Sequence, residues 1–166
     1  MKLATAVFML LTSAQVVYAQ HAGHDSTKAQ KDSAFHAMQN RGQVVMGVDQ
    51  YTSVHKFEDL PDGGRIELQR DVDDTAGVRI IREHFREIAE SIRNGDFRAP
   101  GLVHATDVPG VDVIMANRKD LYVVIRNLPR GGEMRLTTKN PAVVKAIHDF
   151  LAFQRREHRT EPEHQH

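Results

Sequence analysis

The strongest constraint on this fold is a nine-residue phrase that occurs twice. Leu60-Pro61-Asp62-Gly63-Gly64-Arg65-Ile66-Glu67-Leu68 returns 68 positions later as Leu128-Pro129-Arg130-Gly131-Gly132-Glu133-Met134-Arg135-Leu136. Each copy follows an alternating apolar run and precedes an amphipathic helical stretch. The pattern predicts two duplicated strand-turn-strand-helix units. One hairpin and one helix bury too little to stand alone, so the two units should pack together about a pseudo-two-fold. The expected class is α+β: an antiparallel sheet of four or five strands, with the two main helices on one face.

Local signals place the elements. A short helix is expected over residues 33–46, on a stripe of Phe35, Met38, Val45 and Met46. Residues 52–60 and 65–70 alternate as strands, and the Pro61-Asp62-Gly63-Gly64 stretch reads as the turn between them. Asp73, Asp74 and Thr75 offer cap side chains to a helix carrying Val78, Ile81, Phe85, Ile88 and Ile92, which Asn94-Gly95 should end. A Pro- and Gly-rich connection follows, in which residues 111–115 read as an extra strand. The second hairpin occupies 121–127 and 133–138. Asn140-Pro141 then starts a last helix with Val143, Val144, Ile147, Phe150, Leu151 and Gln154 on its stripe. The turns match at an offset of 68, whereas the helical stripes match nearer 66.

The ends read differently. Lys2, the apolar run Leu3 to Leu11 and the small-residue site Val17-Tyr18-Ala19 predict a secretory signal over residues 1–19. The run is too short to span a bilayer. Residues 20–33 are expected as a flexible leader, 34–158 as one α+β domain and 159–166 as a flexible tail. The implied location is outside the cytoplasm, periplasmic or extracellular, with no membrane insertion once the signal is removed.

Composition narrows the chemistry. Lys plus Arg and Asp plus Glu balance at 22 each, which argues against nucleic acid as a partner. Cysteine is absent, so disulfides, thiolate metal sites and thiol nucleophiles are excluded. Ten histidines remain as the main chemical resource. Imidazole ligates zinc, copper or nickel, and thioethers favour Cu(I), so a His/Met site is the soft or borderline site open to this chain. His104 and Met115, from the connection, with His84 and His148 from the two helices, are the candidate ligands. His84 and His148 flank their stripes on opposite sides, which argues against their forming a pair. Terminal histidines, His21 and His24 beside the expected Gln20 amine and His158, His164 and His166 at or beyond the last helix, are auxiliary capture groups.

Enzyme motifs are scarce. The chain has no Gly-x-Ser-x-Gly elbow, no Walker-type phosphate loop and no His-Glu-x-x-His helix. Glu83 adjoins His84 and Asp149 adjoins His148, but neighbours on a helix point about 100° apart. The expected function is therefore an exported, non-enzymatic binding protein, with a transition metal such as a copper ion as ligand. The alternatives are a metal-free structural or protein-interaction module, and a small hydrolase or lyase with His84 or His104 as general base.

Several phrases, taken together, resemble a family of small exported bacterial proteins of uncharacterised function. They are Met46-Gly47-Val48-Asp49-Gln50, Pro61-Asp62-Gly63-Gly64, Ile81-Arg82-Glu83-His84-Phe85, Gly95-Asp96-Phe97, Val108-Pro109-Gly110, Pro129-Arg130-Gly131-Gly132 and the run Ala146 to Gln154. The likeness covers residues 46–158 and implies export without implying an activity. A carbamoyltransferase label sometimes attached to such relatives does not suit this chain, which lacks the Ser-Thr-Arg-Thr phosphate loop and the length for two domains.

Overall fold

The computed structural model describes residues 15–47 and 50–160. The apolar run of the expected signal, Val48 and Asp49 of the first family phrase, and residues 161–166 of the tail lie outside them. The chain divides into two compact units, 1–34 and 35–166. What is described of the first is helical, the upstream part of α1 (Gln15–Met46). The leader expected at 20–33 therefore falls in a helix. Its Ala, Gln and Lys content explains this, since those residues favour helix even where no apolar stripe exists.

The second unit holds the sheet. Strands β1 (Ser53–Leu60), β2 (Gly63–Arg70), β3 (Tyr122–Leu128) and β4 (Gly131–Thr137) form one antiparallel sheet in the order β1-β2-β4-β3. Helices α2 (Thr75–Asn94) and α5 (Pro141–Glu157) follow the two hairpins, with α3 (Ala99–His104) and α4 (Val111–Ala116) between the halves. The class is the α+β one expected. The hairpins join through their second strands, in a register centred on the pair Ile66 and Met134.

Pleating puts Ile66, Leu68, Met134 and Leu136 on one face, where they meet both helices in a single core. Each helix crosses to the other hairpin: α2 packs over β4 and β3, and α5 over β1 and β2. Asp74 caps α2 by accepting from the Gly77 amide at 3.0 Å, and Gly95 ends that helix at φ 78°. Asn140 caps α5 by accepting from the Ala142 amide at 3.0 Å. Counted from the last leucine of the phrase to the cap, the second connection (Leu136 to Asn140) is two residues shorter than the first (Leu68 to Asp74). That accounts for the shift in offset from 68 to 66.

The paired glycines turn out to serve packing. The loops are Pro61-Asp62 and Pro129-Arg130, and the glycines open the second strands. A Cβ added at Gly63 would lie 2.0 Å from the Leu136 carbonyl oxygen, and one at Gly131 2.0 Å from that of Leu68. The next glycine in each pair admits a helix side chain. A Cβ at Gly64 would lie 2.3 Å from Leu151, and one at Gly132 3.0 Å from Phe85. The phrase thus recurs where the same two close approaches recur.

One element differs in kind from expectation. Residues 111–115, read as a strand, lie in helix α4, whose Ile114 is fully buried in the core. The Val-Asp-Val alternation mimics a strand over too few residues to discriminate. Gly110 at φ 83° opens a helical turn instead, and the turn docks on α5.

Candidate functional site

Four elements of the second unit each bring one histidine to the same cavity. On edge strand β1, His55 and Phe57 alternate inward, opposite Leu68 and Ile66 of β2. Helix α2 supplies His84, one position before the core residue Phe85. The short helix α3 ends at His104, which is buried although it sits in the connection. Helix α5 ends at His158, its C-cap, one turn beyond Gln154. All four line a cavity of about 90 Å³, walled otherwise by Gln154 and by apolar groups that include Phe97, Val103, Met134 and Phe150.

Three of the rings are in contact. His158 has its centroid 5.1 Å from His55 at an interplanar angle of 26° and 5.3 Å from His104 at 88°. Phe57 and Phe153 close on the cluster, at 5.4 Å from His158 and 4.9 Å from His104 respectively. His104 Nε2 lies 3.0 Å from Gln154 Oε1. The amide oxygen only accepts, so Nε2 carries the proton and Nδ1 of His104 keeps its lone pair. That Nδ1 is buried without a partner, as are His55 Nε2 and His158 Nδ1. An unmet buried polar group costs about 1–3 kcal/mol, and three stand round one cavity.

Burial keeps these imidazoles neutral. It is the main cause that lowers His55 from its ordinary 6.5 to about 4, helped by nearby His84. Burial also lowers His84 to about 4. His158 falls to about 2, through burial first and then through His55 and His104. His104 is lowered by burial too, against the opposing pull of the Gln154 hydrogen bond and of Glu157. A neutral imidazole is the form that ligates, and it is a poor general base when its proton affinity is this low.

The expected ligands separate. His84 and His104 meet in the cavity. His148 does not: its Nε2 is 3.0 Å from both the Leu60 and Gly63 carbonyl oxygens, so it donates to the first hairpin turn. Met115 packs partly buried against the main core from α4 and is not part of the cavity wall. The side chains of His21, His24, His164 and His166 lie outside those described. Two residues of the cavity went unforeseen. His55 shares its inward alternation with Phe57, and His158 continues the α5 stripe four residues past Gln154; both signals are present in the sequence. Among the described residues, no group of three or more His, Asp or Glu side chains is placed so that it could hold a metal ion, so the cavity histidines do not converge on one point as they stand. No described helix is long and apolar enough to cross a membrane.

No family model, curated protein or solved structure matches the chain.

Proposed function

We propose that this is an exported, non-enzymatic binding protein that takes its ligand into the imidazole-lined cavity. The observation that carries the reading is the set of three buried nitrogens without partners, on His55, His104 and His158, round one apolar space. Size limits the ligand. Cofactors and drug-sized molecules occupy pockets several times larger, on the order of 300 Å³ and above. A single transition-metal ion or a molecule of a few atoms fits.

The chemistry supports binding over turnover. The imidazoles are neutral and shielded, and the described wall carries no carboxylate to orient one of them as a base. The interaction-module alternative draws less support, because the middle of the sheet face away from the helices is occupied by mutual ion pairs (Lys56 with Glu67, Arg65 with Glu58 and Glu133, Arg126 with Glu133), and its exposed apolar side chains, Val54 against Tyr122 and Val124, lie apart on the two edge strands.

The test is a titration of the full chain, followed by nitrogen NMR of the histidine rings. Zinc, nickel, Cu(I) and dissolved xenon serve as the probes. At least one should move the His55, His104 and His158 signals while leaving His148 in place. If none moves the cavity rings, the binding reading is overturned.

A further inference from the structure

The cavity's donor set is more selective than its size. Its soft and borderline donors are imidazole nitrogens, with the thioether of Met134 also in the wall. The described lining includes neither Asp nor Glu. A cation held there has no carboxylate in contact; Glu157 and Arg41 act on His104 from outside the wall with opposite signs. The cost of burying charge grows as its square, so a dication costs about four times as much as a monocation. Among ions that imidazole and thioether favour, the monovalent one is Cu(I).

Geometry agrees. Two imidazoles sharing a tetrahedral ion through bonds of about 2.0 Å hold their ring centroids about 5 Å apart. His158 keeps that separation from both His55 and His104, at 5.1 and 5.3 Å. Each ring has one buried nitrogen without a partner. His104 is also set up from behind, since its Nε2–H is held by Gln154 Oε1 at 3.0 Å. A ligating histidine is commonly fixed in this way, its second nitrogen engaged so that the first presents a lone pair.

We propose that His55 Nε2, His104 Nδ1 and His158 Nδ1 form a Cu(I) site, with Gln154 as a positioning residue. The three nitrogens do not converge in the ion-free arrangement, so binding requires the His55 and His158 rings to turn toward His104, which Gln154 holds in place; neutral rings add no charge of their own. This rests on the cavity being the ligand site, and it replaces the set His104, Met115, His84 and His148 by one the fold assembles.

The experiment uses the full chain with four of the terminal histidines replaced (His21→Gln, His24→Gln, His164→Gln, His166→Gln), titrated anaerobically with Cu(I) against a chromogenic competitor. One equivalent should bind. His55→Gln and His158→Gln should each weaken it by about 100-fold or more, and Gln154→Leu by about 10- to 100-fold. His148→Gln should leave the affinity unchanged. Cu(I) is diamagnetic, so nitrogen NMR of the unsubstituted protein checks the same ligands without reliance on any variant's folding. The His55, His104 and His158 signals should shift together. Cu(I) binding lost with the terminal histidines, or shifts that avoid these rings, would overturn the copper site. If zinc or xenon still moved the rings, the cavity would remain a ligand site; silence from every probe would remove both readings.

Discussion

His148 and Arg82 do the same work in opposite halves of the sheet. His148, on α5, donates Nε2–H to the Leu60 and Gly63 carbonyls at 3.0 Å each. Arg82, on α2, donates to the Leu128 carbonyl at 2.6 Å and to the Gly131 carbonyl at 2.9 Å. The acceptors stand 68 positions apart and the donors 66, which are the two offsets already seen in the turns and the helices. Each side chain ties the loop of one hairpin to the helix that crosses over from the other.

The first prediction follows from that tie. His148→Ala should destabilise the protein by about 1–2 kcal/mol, because two partly buried turn carbonyls lose their donor. Arg82→Ala should cost at least as much, since its bonds come from a charged group. His148→Arg should retain most of the stability, as Arg serves the matching place. Urea unfolding of the three variants decides it: equal losses for His148→Ala and His148→Arg would show that His148 is not a turn clamp.

Glycine substitutions should separate the two close approaches. Gly131→Ala sets a Cβ 2.0 Å from a backbone oxygen in β2, which no rotamer change relieves. Gly64→Ala sets it against the Leu151 side chain at 2.3 Å. The second should cost about 1–3 kcal/mol, and the first more. Leu151→Ala should relieve Gly64→Ala, so that the double variant loses less than the sum of the singles, and it should not relieve Gly131→Ala. Chemical denaturation of the set provides the check.

Acid should destabilise the fold in a window set by the cavity. The folded-state values of His55 and His84 lie near 4 and that of His158 near 2, against 6.5 for an unfolded histidine. The unfolded chain therefore binds more protons below 6.5. Stability is fully present above that pH and falls as pH drops from 6.5 toward 4 and lower. Each such histidine adds a slope of about 1.4 kcal/mol per pH unit within its window. Glu67 is held low as well: desolvation alone would raise it, but hydrogen bonds from Gln69 and Lys56 outweigh that effect. Its loss follows the same sign at lower pH. Denaturation midpoints measured from pH 7.5 to 4 should hold to about 6.5 and then fall; a profile still flat at pH 5 would contradict neutral burial of the cluster.

On the outer face, Glu67 and Glu133 stand directly opposite each other on β2 and β4, at 6% and 7% exposure. Arg65 makes this tolerable, at 3.6 Å from Glu67 and 3.3 Å from Glu133. Arg65→Met should cost about 2–3 kcal/mol by leaving two facing carboxylates undercompensated. Adding Glu133→Gln should recover part of that loss. Thermal melts at neutral pH test it, and additive losses would show that the two carboxylates do not repel.

Much of the fold was legible because its signals are local. The repeated phrase, the Asp74 and Asn140 caps, the Gly95 stop and the two stripes each report on a few consecutive residues, and hairpins form between near neighbours. Residues 111–115 mark the limit of such signals, since five residues of alternation suit a strand and a helical turn equally until α5 offers Ile114 a core to enter. The candidate site depends on contacts that no local pattern encodes. His55 and His158 stack across more than a hundred residues of chain, and they meet because α5 crosses back over the first hairpin and ends beside its edge strand. His148, equal to the others in type, is turned to the loop carbonyls of the first hairpin instead. Residue identity and spacing determined which side chains were available and which faces they lay on. Helix crossing and strand order, governed by burial of the shared core, decided which imidazoles came together and which were left without partners.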